Sequence, residues 1–156
     1  MAEELFKQTD EEQVTDGDTT LERFLTFVSD GLTFGVSTNY VMEIITNHTI
    51  TILPMVPDFV KGIINLRGQI IPIIDIRLRL GKPAITYTST SCIIVFDINS
   101  VPIGIIVDSV SQVLDLDCSK ISQVPANKQQ ELVTHMISLN KNDVVLLFDC
   151  EQLINS

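Results

Sequence analysis

Apolar and polar residues alternate with a period of two along most of this chain, in short runs cut by turn residues. Arg23–Ser29 (RFLTFVS) and Leu32–Ser37 (LTFGVS) flank Asp30-Gly31, the strongest short hairpin signal in the sequence, and predict two antiparallel strands. Thr38–Ile45 places Tyr40, Met42 and Ile44 on one parity and Val41, Glu43 and Ile45 on the other, and Thr49–Leu53 alternates again, so both predict strands. Pro57-Asp58-Phe59-Val60 predicts one helical turn closed by Gly62. Two apolar runs then meet at Gly68-Gln69, read as a two-residue type II′ loop with glycine first. That register sets Arg67 opposite Ile70 and Asn65 opposite Pro72. It puts Ile64, Leu66, Ile71 and Ile73 on one face, and Ile63, Asn65, Arg67, Ile70, Pro72 and Ile74 on the other. A hairpin apolar on both faces is expected to be covered on both.

Asp75 caps a helical turn, IRLRLG, that Gly81-Lys82-Pro83 ends, and the polar Ala84–Ser91 reads as a crossing linker. The second half then echoes the first. Gly104 stands 69 residues after Gly35, and the same offset pairs Phe27 with Phe96, Val36 with Ile105, Val41 with Val110 and Ile44 with Val113. With small insertions, FVKGIINLRGQIIPIID aligns with LVTHMISLNKNDVVLLFD, and Asp75 with Asp149. Short duplicated strands with frequent turns predict two small β-barrels in one all-β chain. Gly62, Arg67 and Gly68 have His135, Asn140 and Lys141 as counterparts, and Gln112 takes the place of Glu43.

Composition narrows the function. The 156 residues are 45% hydrophobic and 19% charged, ample for burial, and no apolar run approaches the ~20 residues of a membrane span. A cytoplasmic protein is expected. Of the net charge of −10, residues 1–22 carry −7 (eight carboxylates against Lys7), leaving −3 for the body; the 1–22 segment reads as a disordered acidic tail. Nucleic acid and anionic lipid want clustered Lys and Arg, which are missing. Cys92, Cys118 and Cys150 match no zinc or redox spacing, His48 and His135 are isolated, and no nucleophile, phosphate-loop or metalloprotease motif is present. No enzyme, metal or cofactor is expected. Asp75 and Asp149 read as helix caps, Asp30 and Asp108 as turn or strand-end residues.

Arg67 is the informative charge. A guanidinium among isoleucines has to be paired, because truncating one partner of a buried ion pair costs roughly 3–5 kcal/mol. The carboxylates available upstream in the folded region are Asp30, Glu43 and Asp58. Glu43, likewise a lone charge in an apolar run, is the favoured partner.

The stretch FVKGIINLRGQIIPIIDIRLRLG (Phe59–Gly81) resembles the signature of the CheW family of bacterial chemotaxis adaptors. The resemblance continues through FGVSTNYVMEI and GIIVDSVSQV and covers roughly Arg23 to Ile154. It implies two linked five-stranded SH3-like β-barrels within residues 23–156. It also implies a non-enzymatic adaptor that couples chemoreceptor signalling tips to the regulatory domain of the histidine kinase CheA. Carried over residue by residue, the receptor-facing positions are Val41, Glu43, Ile44, Asn65, Leu66, Arg67 and Gly68, with Val107 and Val110 as the other wall of a groove between lobes. The kinase-facing positions are Asp58, Lys61 and Gly62. A start at Met1 and an end just past the last helical segment fit a stand-alone adaptor. The alternatives are a CheW-like module of a larger protein (the kinase regulatory domain or a CheV coupling protein), an adaptor of a non-chemotaxis kinase pathway, or, from another class, a small enzyme or ligand-binding barrel.

Overall fold

The computed structural model describes residues 20–46, 48–125, 131–140 and 142–155. Most of the acidic 1–22 segment lies outside them, but its last residues do not: β1 already begins at Leu21. In order, the chain forms β1 (Leu21–Ser29), β2 (Leu32–Ser37), a 3-10 turn (Thr38–Tyr40), β3 (Val41–Ile45), β4 (Val60–Leu66), β5 (Gln69–Asp75) and α1 (Ile76–Arg79). There follow β6 (Cys92–Ile98), β7 (Val101–Val107), β8 (Ser109–Asp117), a second 3-10 turn (Cys118–Lys120), β9 (Ser122–Gln123), β10 (Val133–Ser138), β11 (Val144–Phe148) and α2 (Cys150–Asn155). No helix among the described residues is long and apolar enough to cross a membrane.

The strands form a six-stranded sheet, β8-β1-β2-β11-β10-β9, and a five-stranded sheet, β3-β6-β7-β5-β4. The two compact units follow the sheets rather than the repeats. One comprises the described residues up to Phe27, Leu32–Asn39 and the chain from Ser111 onward; the other comprises Val28–Gly31 and Tyr40–Val110. Each repeat is a hairpin followed by further strands, and each sheet combines the hairpin of one repeat with the following strands of the other.

The internal repeat survives in detail. The tip of β1–β2 has Asp30 at φ 52° and Gly31 at φ 74°; 69 residues on, the tip of β6–β7 has Asn99 at φ 52° and Ser100 at φ 69°, the paired positive φ of a type I′ turn. In both sheets the second hairpin strand pairs in parallel with the last strand of the other repeat, Gly35 against Leu147 and Gly104 against Ile73. A Cβ on Gly35 would stand 2.8 Å from Val145 Cγ1, and one on Gly104 2.7 Å from Ile73 Cδ1, so both crossings need a bare backbone.

In the first unit Phe27 stacks on Phe34 at 5.4 Å and meets Phe148 edge-on at 6.0 Å. Phe24, Leu116, Ile137 and Val145 form a further cluster there. The second unit is centred on Ile64, Ile71, Ile73, Ile93, Val95 and Ile106.

Several sequence expectations are corrected around the five-stranded sheet. The β4–β5 turn is Arg67-Gly68, at φ 53° and 85°, so Leu66 pairs with Gln69, Asn65 with Ile70 and Ile64 with Ile71. Pairing moves by two residues, an even step that preserves the pleat, and the core face of Ile64, Leu66, Ile71 and Ile73 therefore stands. The opposite face is covered only toward its Asp75 end: Ile74 is buried while Ile70 is 54% exposed. Pro57-Asp58-Phe59-Val60 makes a turn that runs straight into β4, so Gly62 is a strand residue and not a helix stop. The predicted strand over Thr49–Leu53 reduces to a single bridge between Thr51 and Ile63, and Thr38–Tyr40 is 3-10 instead of strand.

Candidate functional site

β3 and β4 end the five-stranded ladder at opposite edges, yet two links join β3 and the segment after it to β4 and its turn. One is the Thr51–Ile63 bridge. The other is an ion pair from Arg67 Nη2 to Glu43 Oε1 at 2.7 Å. The favoured partner of Arg67 is thus the observed one, but burial is not the reason. The Arg67 side chain is 69% exposed and that of Glu43 29%. Such a pair contributes at most about 1 kcal/mol to folding.

Two local irregularities aim these charges. Ladder pairing shifts between Val41, opposite Phe96, and Glu43, opposite Val95, leaving Met42 as a bulge. Directly opposed residues share a face, so Glu43 and Ile45 lie with the core-lining Val95 and Ile93, whereas Val41 and Ile44 lie with Phe96 and Ile94. Simple alternation had put Val41 with Glu43; the bulge separates them. At the other edge Arg67 sits at φ 53°, a conformation that costs a non-glycine residue of order 1 kcal/mol. The turn is held from inside, because the Gly68 N–H donates to Asn65 Oδ1 at 2.9 Å.

Of the remaining receptor-facing candidates, Leu66 and Ile44 are half-buried, Val41 is buried, and Asn65 and Gly68 are exposed. Val107, the last residue of β7 and paired with Cys92, is buried, and Val110 in β8 is half-buried. Of the kinase-facing candidates, Asp58 is exposed in the turn before β4, and Lys61 occupies a bulge with its Nζ 5.7 Å from the Tyr87 ring centre. Gly62 is buried at φ 149°, and a Cβ there would collide with the Thr51 carbonyl oxygen.

Two polar constructions in this unit go beyond what was legible beforehand, which was the Asp75 cap alone. Asp75, buried among isoleucines, accepts from the Arg77 and Leu78 N–H groups as the cap of α1 and from the Tyr87 hydroxyl at 2.7 Å, which fastens the Ala84–Ser91 linker. Burial and this bond push the Tyr87 phenol well above its usual range. Arg77 donates to Asp108 through Nε at 3.1 Å and Nη2 at 2.6 Å and to Asp30 through Nη1 at 3.1 Å, while the Asp30 N–H donates to Asp108 Oδ2. The Arg77 hydrogen bond holds the Asp108 carboxyl below the usual carboxylate range. Asp30 and Asp108 were read as turn and strand-end residues; the missing signal was a helical turn that carries Arg77 and Arg79 and no carboxylate within it.

Nothing in this arrangement activates a nucleophile. Burial pushes all three thiols, Cys92, Cys118 and Cys150, above their ordinary range, away from the reactive thiolate. The chemistry on offer is recognition: an exposed, conformationally fixed ion pair that bridges the two edges of the sheet, and Asp58 and Lys61 around the start of β4.

The CheW-like domain family matches residues 23–156. The chain is 33% identical over 143 residues to the chemotaxis protein CheW of Klebsiella aerogenes, covering 90% of this chain and 86% of that one. It is 30% identical over 126 residues to the chemotaxis protein CheW of Bacillus subtilis, covering 81% of each. Among solved structures, the scaffolding protein TtCheW of Thermoanaerobacter tengcongensis superposes with a TM-score of 0.77 at 28% identity, over 83% of this chain and 89% of that one. With the SH3-like β-sheets, the repeat and the Asn65–Gly68 signature turn in agreement, this chain belongs to the CheW family.

Proposed function

We propose that this chain is a non-enzymatic adaptor of bacterial chemotaxis, acting in the cytoplasm to join the helical-hairpin tip of a chemoreceptor to the regulatory domain of the histidine kinase CheA. The observation that carries the reading is the Glu43–Arg67 pair. A positive φ at Arg67 and a bulge at Met42 are spent on an exposed contact that adds little to stability. Local strain of this kind collects at functional sites.

In this reading Glu43, Asn65, Arg67 and Gly68 form the polar part of the receptor-facing surface and Leu66 its apolar support, while Val41 and Ile44, on the other face of β3, and Val107 and Val110 are carried over from the family resemblance alone. A helical tip laid on such a surface finds alternating charge and apolar contact, the usual basis of helix recognition. Asp58, Lys61 and Gly62 face the kinase. The function is geometric: an adaptor that holds both partners lets receptor conformation change kinase activity.

The test is a pull-down of the purified chain with a CheA regulatory domain and with a receptor signalling tip, separately and together. Capture of each alone and of both in one complex is expected. Capture of neither by a folded sample overturns the proposal.

A further inference from the structure

The hydrophobic core of the second unit opens to a cleft at one end. Ile93 and Ile106, paired across β6 and β7, belong to that core and also line the cleft, whose volume is about 160 Å³. Ile45 and Ile50, both half-buried, add to its apolar lining, and Tyr87, Thr88 and Ser91 bring the linker to its edge. The linker is fixed by hydrogen bonds of its own. The Tyr87 hydroxyl donates to Asp75 Oδ2 at 2.7 Å, the Thr90 hydroxyl to the Asp108 carbonyl at 2.9 Å, and the Thr88 N–H to Ser91 Oγ at 2.9 Å. A linker tied at three points is not free to fold into the cleft and fill it.

The polar lining offers hydrogen bonds and no charge. Ser91 Oγ accepts from Thr88, and its own hydrogen has no acceptor among the described residues. His48 Nδ1 lies 3.3 Å from the Thr49 carbonyl, to which it can only donate, so Nε2 is the acceptor of the neutral ring. Among the described residues, no Asp, Glu, Lys or Arg lines the cleft, which disfavours an ionic ligand. Size limits the ligand further, because an apolar cavity of roughly 150 Å³ holds one benzene ring.

We infer that this cleft binds a neutral single-ring hydroxylated aromatic, of the phenol class: the ring lies against Ile93 and Ile106, and the hydroxyl accepts from Ser91 and donates to His48. A concave, mostly apolar site with a few convergent polar groups is the usual form of a small-molecule site. The inference concerns the second unit alone, and the outcome of the adaptor test does not bear on it.

The experiment titrates the full chain, labelled at its isoleucine methyl groups, with phenol and separately with benzene, followed by NMR. Phenol is expected to give saturable shifts at Ile45, Ile50, Ile93 and Ile106, and benzene to bind the same methyls about fivefold more weakly, the value of one hydrogen bond. Ser91→Ala should weaken phenol by about the same factor and leave benzene within about twofold. Ile50→Phe, which puts a larger side chain into the cleft, should abolish the shifts caused by both. Absence of saturable shifts at these four methyls in the wild type overturns the site. Equal affinity for phenol and benzene overturns the hydroxylated class, and unchanged phenol affinity in Ser91→Ala overturns the role of Ser91. Unchanged binding in a folded Ile50→Phe chain overturns the placement; if that variant does not fold, the wild-type methyl shifts and Ser91→Ala decide.

Discussion

Glu43 and Arg67 come from opposite edges of one five-stranded ladder and meet at 2.7 Å, so the pair fastens the curled sheet at a point where no backbone ladder does. Arg67 is mostly exposed, and this separates the consequences of its removal. Arg67→Ala is expected to cost no more than about 1 kcal/mol in urea unfolding. Under the proposed function, Arg67→Glu, which sets two carboxylates together, lowers receptor-tip affinity more than tenfold in a protein that still folds. A folded Arg67→Glu chain with unchanged receptor affinity would remove Arg67 from the interface.

Asp75 is a different kind of charge, because every direction around it is occupied. Asp75→Ala removes the α1 cap and leaves the Tyr87 hydroxyl without its acceptor, an expected loss of about 2–4 kcal/mol. Tyr87→Phe removes one bond and is expected to cost about 1 kcal/mol. Denaturant midpoints of the two variants check the ranking; Tyr87→Phe costing as much as Asp75→Ala would refute it.

The Arg77 clasp carries a pH signature. Its hydrogen bonds lower the folded-state pKa of Asp108 below the ordinary carboxylate value of about 3.9. A lowered carboxylate pKa stabilises the fold fully above that ordinary value, and the contribution is lost as pH falls through the lower folded value. Stability of the wild type should therefore decline below about pH 4. In Arg77→Gln, Asp30 and Asp108 face each other without the guanidinium, so acidification relieves repulsion and the decline is flatter. Urea midpoints between pH 6 and pH 2 measure it, and parallel curves for the two proteins would contradict it.

Two glycines predict opposite sources of cost. Gly104→Ala meets Ile73 Cδ1 at 2.7 Å and Ile93 Cγ2 at 3.0 Å inside the core, and overpacking there is expected to cost about 1–3 kcal/mol. Gly68 has open space around its Cβ position but sits at φ 85°, so Gly68→Ala pays only the backbone term, about 1 kcal/mol. Double-variant additivity, measured by urea unfolding, tests whether the two sites are independent.

Much of the candidate site was readable because its signals are local or unique. Glu43 could be named as the partner of Arg67 because few carboxylates precede the hairpin in the folded region and only one interrupts an apolar strand. The Met42 bulge was not readable, since a single unpaired residue leaves the alternation of the sequence unchanged while reversing which side chains share a face. Arg67 was expected to be buried because its strand neighbours are isoleucines. It lies one residue beyond the strand, in the turn, where solvent reaches it.

By itself the sequence determined most of the strands, the Asp30-Gly31 hairpin, the duplication and the core face of β4–β5. Alternation, turn chemistry and repetition are written in neighbouring residues, and a pairing error of two positions leaves the pleat intact. Only the tertiary structure decided which strands share a sheet. The repeats exchange their hairpins, so that β3, β4 and β5 complete a sheet with β6 and β7 while β1 and β2 join β8 to β11. Both arrangements bury the same apolar faces, and local pattern does not distinguish them. The choice is made by long-range contacts such as Gly104 against Ile73 and Gly35 against Leu147, where a glycine leaves room for side chains of the neighbouring strands.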